Sequence, residues 1–157
     1  MNTINAVIDQ FVDFYTALDA QPLAKLSQLY HADATLIDPF GEHQGAAAIR
    51  RYFTHLLENV DRCRFVIDPP LSSDDRFMVS WTMHWSHPRI AHGQTRVLPG
   101  CPTAEAQNGF IVRQQDYYDA GAMIYEPLPV LRWAIRRLHP RVRASSPSFS
   151  PSRLPVL

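Results

Sequence analysis

The chain has 157 residues, the size of one domain, and it is long enough to bury a core without disulfide or metal staples. Hydrophobic residues make up 46% and charged residues 19%, a globular balance rather than a disordered one. Fifteen basic and fifteen acidic side chains cancel, so a general nucleic-acid binder is disfavoured and no nucleic-acid partner is expected.

Residues 4–18 carry Ile4, Val7, Ile8, Phe11, Phe14 or Tyr15, and Leu18 at spacings of three and four, which predicts an amphipathic helix. Pro22 suits the first turn of a second helix, with Leu23, Leu26, Leu29 and Tyr30 as its apolar stripe and His31-Ala32-Asp33 closing it. Ala34 to Asp38 reads as extended and stops at Pro39, while Gly41 and Gly45 bracket a turn. A third helix is expected over 46–59, and a strand from Cys63 to Asp68. Ser72-Ser73-Asp74-Asp75 is a turn. Arg76 to His87 gives the clearest strand, because Val79, Trp81, Met83 and Trp85 alternate with polar residues. Pro99, Gly100 and Pro102 leave residues 92–109 open between strand and loop. Phe110 to Asp119 reads as a strand. Leu128, Leu131, Ile135 and Leu138 mark a last helix, followed by a Ser/Pro-rich tail.

Helices followed by strands, without βαβ alternation, indicate an α+β fold. The expectation is a curved antiparallel sheet wrapped around N-terminal helices, a cone with an apolar interior suited to a small molecule. Residues 1–139 would form this domain and 140–157 an unpacked tail. The N-terminus lacks a basic leader, and no apolar run reaches membrane-spanning length. Cys63 and Cys101 have no CxxC spacing, so a reducing cytoplasm is the expected compartment.

The run Ala34-Thr35-Leu36-Ile37-Asp38-Pro39-Phe40-Gly41, followed by Gly45 to Phe53, resembles the nuclear transport factor 2-like superfamily. Ketosteroid isomerases and SnoaL-like polyketide cyclases belong to it. The stretch Arg113-Gln114-Gln115-Asp116-Tyr117-Tyr118-Asp119-Ala120 is similar to the SnoaL-like subgroup. The resemblance covers roughly residues 4–138 and implies a cone-shaped fold, with Asp38 at the position of the isomerase base. That worked example pairs an Asp base with a Tyr and a protonated Asp that hold the oxyanion. Here the Tyr position falls on Phe14, beside Tyr15, and the protonated-Asp position falls near Cys101. The cyclase resemblance puts Asp116 forward instead.

Gln114, Asp116 and Tyr118 share one strand face, so an inward even face would bring Asp116 and Tyr118 to Asp38. Two carboxylates in one apolar pocket would split into an acid and a base. Asp38 and Asp116 are therefore the candidate catalytic residues, and Phe14, Tyr15, Phe53, Trp81 and Tyr118 the candidate ligand contacts. The competing readings are plain: Asp38 as a turn residue before proline, Asp116 as a surface carboxylate, and the aromatic stripe as core. The histidines show no ligand spacing, and there is no HExxH, GxGxxG, P-loop or Gly-x-Ser-x-Gly; neither metal nor cofactor is expected.

The expected function is a cofactor-free isomerase or cyclase acting on a hydrophobic carbonyl compound, with a non-catalytic binding module as the alternative. The superfamily resemblance implies a homodimer. The charge balance hides an asymmetry: residues 1–131 hold nine basic and fifteen acidic side chains, and residues 132–157 hold six arginines and no acid. The basic helix 128–138 is expected to pack on the acidic body, with membrane contact as the competing reading.

Overall fold

The computed structural model describes residues 3–58 and 60–124. Helix α1 (Thr3–Thr16) is set by the three-and-four spacing of Ile4, Val7, Ile8, Phe11, Phe14 and Tyr15, all buried. The expected second helix is reduced to 3₁₀ turns at Leu18–Ala20 and Leu23–Lys25 and a single turn, α2 (Leu26–Leu29). Strand β1 (Tyr30–Asp38) then takes over, including His31-Ala32-Asp33. The reason is pairing: Tyr30 lies opposite Ile111, so sheet contacts override the local helical pattern. β1 turns through Pro39-Phe40 into β2 (Gly41–Gln44). Helix α3 (Ala46–Glu58) lays Ile49 and Phe53 on the sheet.

The remaining strands are β3 (Arg62–Ile67), β4 (Leu71–Ser73), β5 (Arg76–Met78), β6 (Trp81–Ser86), β7 (Arg96–Gln107) and β8 (Phe110–Tyr118). A short helix, α4 (Ala120–Ile124), follows. The sheet runs β2-β1-β8-β7-β5-β4, with β7 also pairing β6 and β6 pairing β3. All pairs are antiparallel except β1 with β8, which is parallel. The α+β cone read from the sequence is thus observed, with one parallel pair at its centre.

Within residues 92–109, Arg96–Gln107 form the longest strand of the sheet despite two prolines. Along β7 the backbone groups alternate sides. Pro102 accepts from Val79 N–H at 3.3 Å, so its missing donor faces β5 and β6. The return bond to Val79 cannot form. That is why the expected continuous strand Arg76–His87 lapses at Val79-Ser80 and appears as β5 and β6. Pro99 faces the opposite side, one position past the Gly100–Tyr118 pair where β8 ends, so no ladder bond is lost there. The β7–β8 hairpin turns at Asn108-Gly109, with φ of 52° and 86°, the two left-handed positions of a type I′ turn.

The concave face gathers Ala34, Leu36, Phe65, Phe77, Trp81, Met83, Leu98, Ala104 and Ile111 against α1 and α3. The basic helix expected over 128–138, the tail and the boundary near residue 139 lie outside the described residues. None of the described helices is long and apolar enough to cross a membrane.

Candidate functional site

The even face of β8 points into the cone. Gln114 is fully buried, Asp116 and Tyr118 are partly so, and Arg113 faces out. Polar groups at these positions enter an otherwise apolar interior, where each needs a partner. Two hydrogen-bonded clusters supply them.

The first is centred on Asp38, at the end of β1. Its Oδ1 accepts from the backbone N–H groups of Phe40 (2.8 Å) and Gly41 (2.9 Å). This is the Asp-Pro turn device anticipated from sequence. Its Oδ2 accepts from the hydroxyls of Tyr52 (2.5 Å) and Tyr118 (3.2 Å). One carboxylate thus fastens the β1–β2 turn, α3 and β8 together. The Tyr52 ring also stacks on His43, with centroids 4.2 Å apart.

The second cluster joins Tyr15, Tyr30, Gln114 and Asp116. Tyr30 donates to Gln114 Oε1 at 2.6 Å. The Tyr15 and Tyr30 oxygens are 2.6 Å apart. Gln114 Nε2 donates to Tyr15 Oη (3.3 Å) and to Asp116 Oδ1 (2.8 Å). Burial pushes the Asp116 carboxyl from 3.8 up to about 7; the Gln114 bond opposes this and the Asp38 charge adds to it. Burial likewise holds the Tyr15, Tyr30, Tyr52 and Tyr118 hydroxyls well above the ordinary phenol range, so they act as neutral donors.

Between the clusters lies a cavity of about 40 Å³, room for a few water molecules. Asp116, Tyr15, Tyr52 and Tyr118 meet there with Leu18, Phe53, Phe65, Trp81, Met83 and Leu98; Leu56 and Met123 close the rim. Of the residues singled out from sequence, Tyr15, Phe53, Trp81, Asp116 and Tyr118 line this space. Asp38 sits behind Tyr52 and Tyr118 and is only 5% exposed. Phe14 packs edge-on against Tyr15 and Phe53 within the core and does not line the cavity. Trp85 is core as well.

Three members were missed by sequence reasoning: Tyr30, Tyr52 and Gln114. Gln114 had a signal, since it shares the face of Asp116 on the strand. Tyr52 sat one position from Phe53 on the apolar side of α3. Tyr30 gave none, because its strand looked like the end of a helix.

A larger hollow of about 440 Å³ lies on the outer face, among Leu71, Arg76, Met78, Thr103, Arg113 and Gln115. It is separated from the carboxylates by the sheet and holds no buried polar side chain. Among the described residues no group of three His, Cys, Asp or Glu side chains is placed to hold a metal ion. The Cys63 thiol is buried against Met83, and burial, with Asp19 nearby, pushes it up to about 12. Cys101 faces outward beside Tyr117.

The same architecture recurs among solved structures. A hypothetical protein of ketosteroid isomerase-like fold from Catenulispora acidiphila DSM 44928, in complex with trimethylamine, aligns at 15% identity and TM-score 0.67, over 77% of this chain and 91% of its own. A putative SnoaL-like polyketide cyclase from Jannaschia sp. CCS1 aligns at 12% identity and TM-score 0.67, over 76% and 90%. TerC, co-crystallized with polyporic acid, aligns at 21% identity and TM-score 0.64, over 78% and 95%. At these identities the likeness is one of fold. No curated protein sequence matches the chain. The SnoaL-like domain model matches residues 11–114, a span from the middle of α1 to the buried glutamine of β8, and on that match the chain belongs to the SnoaL-like domain family.

Proposed function

We propose that this protein binds a small apolar molecule in its cone and catalyses proton transfer on a hydrophobic carbonyl compound without a cofactor. Asp116 is the acid–base group. The observation that carries this reading is a carboxyl with a midpoint near neutrality, open to an apolar cavity and flanked by phenol hydroxyls. A group poised near 7 can both take and return a proton at ordinary pH. Asp38 is less suited to the role, because four donors already occupy its two oxygens. Its part is to aim Tyr52 and Tyr118, whose hydroxyls border the cavity. Tyr15, Phe53, Trp81 and Tyr118 form the ligand-facing wall, and Phe14 supports it from behind.

Trimethylamine and polyporic acid accompany fold neighbours, which supports a small-molecule pocket. The space of about 40 Å³ means that a ligand enters by displacing rim side chains such as Leu56 and Met123. The test is deuterium incorporation at the α-carbon of small hydrophobic ketones in D₂O, followed by proton NMR. Wild-type protein should accelerate exchange, and Asp116→Asn should abolish it while leaving the fold intact. Exchange unchanged in Asp116→Asn would reject the assignment.

A second reading is a binding module without chemistry. It is favoured by one observation: the hydroxyls of Tyr15, Tyr30, Tyr52 and Tyr118 are all engaged internally, leaving no free donor for an oxyanion. Ligand-induced thermal stabilisation without α-exchange would select it.

The assembly proposed is a homodimer through the outer sheet face, where Val66, Leu71, Met78, Val97 and Tyr117 are exposed. Light scattering that gives only the chain mass of 17.9 kDa would reject it. The two free thiols support a reducing cytoplasm as the compartment.

A further inference from the structure

The hydrogen atoms of the Tyr15–Tyr30–Gln114 cluster can be counted. Each phenol has one donor and the amide has two. The Tyr30 hydrogen goes to Gln114 Oε1. The close Tyr15–Tyr30 contact must therefore use the Tyr15 hydrogen. Gln114 Nε2 then gives one hydrogen to Tyr15 Oη and the other to Asp116 Oδ1. The result is a closed ring in which every donor is used, with a single branch to a carboxylate. That branch requires Asp116 to present an unprotonated oxygen.

The ring has a second closed sense. Turning the Gln114 amide by half a revolution places Oε1 toward Tyr15 and Asp116, and Nε2 toward Tyr30. Nε2 then donates to Tyr30 Oη, Tyr30 to Tyr15, and Tyr15 to Oε1. The branch now runs the other way: a protonated Asp116 donates to Oε1. No bond to carbon or heavy-atom skeleton changes; three hydrogens exchange partners and one amide rotates.

We propose that Tyr15, Tyr30 and Gln114 form a reversible hydrogen-bond ring that follows the proton on Asp116, presenting an amide N–H to the carboxylate and an amide C=O to the carboxylic acid. Tyr30, which does not line the cavity, is thus a positioning residue for the group that does. The two senses are unequal. In the reversed sense one amide hydrogen lacks a partner among the described residues, so the observed sense favours the carboxylate and counteracts burial. The inference rests on the acid–base reading of Asp116 and adds to it a partner that can accept the O–H of the carboxylic acid as well as donate to the carboxylate. Ionisable groups around Asp116 come from every element packed on it: Asp38 from β1, Tyr15 from α1, Tyr30 at the start of β1, Tyr52 from α3 and Tyr118 from β8. Only Asp38 is a second carboxylate. Its two oxygens already accept from four donors, so it takes no part in the ring.

The test uses the full chain without a ligand. Protein labelled with ¹³C at aspartate carboxyls and ¹⁵N at glutamine amides is titrated between about pH 5 and 9, the range that brackets a carboxyl near neutrality. The Asp116 carbon should titrate near 7. With the same midpoint, nuclear Overhauser contacts of the Gln114 amide hydrogens should move from the Tyr15 ring at high pH to the Tyr30 ring at low pH. Tyr30→Phe should cut the ring, weaken the Gln114 donor, abolish the exchange of contacts and raise the Asp116 midpoint by about one unit. If that variant does not fold, the wild-type titration alone decides. Amide contacts that stay on Tyr15 while Asp116 titrates overturn the ring and leave the acid–base reading standing. An Asp116 that does not titrate in this range overturns the ring too. Reversal without α-deuterium exchange supports the ring and rejects the catalytic reading.

Discussion

The indole of Trp81 occupies the space that a side chain on Gly100 would need. The two residues are directly paired between β6 and β7, and a Cβ at Gly100 would meet Trp81 ring atoms at 2.3 to 2.7 Å. The same ring packs edge-on against Phe65 at 5.0 Å and lies 6.0 Å from Tyr118. The wall of the cavity is therefore held by an aromatic laid over bare backbone.

Gly100→Ala should destabilise the protein by about 1–3 kcal/mol through overpacking. Chemical denaturation measures the loss. Trp81→Leu in the same chain should recover part of it, and a strictly additive double mutant would contradict the contact.

Asp38→Asn exchanges one acceptor oxygen for an amide donor, which must then face either two backbone N–H groups or two phenols. A loss of about 2–4 kcal/mol is expected, read as a shift in the urea midpoint. Residual α-exchange in the folded fraction should survive this substitution, in contrast to Asp116→Asn.

The stability of the wild-type protein should fall as pH rises from about 4 to about 7. The sign follows from linkage: Asp116 moves from 3.8 to about 7 on folding, so in this window the native state binds the extra proton and each rise in pH costs stability. Above about 7 both states are ionised and this contribution is flat. Asp116→Asn should remove this slope, as thermal melts across the pH series would reveal; an unchanged slope would place its origin elsewhere.

Asn108→Ala puts an ordinary side chain at φ 52° in the β7–β8 turn and should cost about 1 kcal/mol. Asn108→Gly should be close to neutral. Equal losses in both would mean that the turn is not what the Asn-Gly pair secures.

Much of this cone can be read from residue spacing. α1, α3, β3 and β8 follow patterns of three-and-four or two; alternation groups Gln114, Asp116 and Tyr118 on one face of β8, and the structure turns that face inward. What spacing could not supply was pairing. Tyr30 is helical by local pattern and extended in fact, because Ile111 lies opposite it. Pro99 and Pro102 look like strand breakers, yet the missing donor of Pro99 faces the end of β8, where no ladder bond is due, and that of Pro102 costs the single return bond to Val79. The site divides in the same way. Asp116 was visible as a carboxylate sharing a strand face with Gln114 and Tyr118, and the direction of that face came from the structure. Of its partners, Gln114 shares its strand face, whereas Tyr15 and Tyr30 come from other elements and no sequence pattern connects them to it.

One consequence of the β1–β8 pairing concerns synthesis. Tyr30 and Gln114 meet across 84 positions, and β8 is the last strand described. Among the strand pairings described, this central one therefore carries the greatest loop-closure cost, and contacts of that kind form slowly. A nascent chain lacking β8 has neither the ring nor the neutral-range carboxyl, however well its earlier hairpins and helices have formed. Ligand competence should accordingly arise in a single late step during folding, when the final strand docks between β1 and β7, rather than accumulate as the chain lengthens.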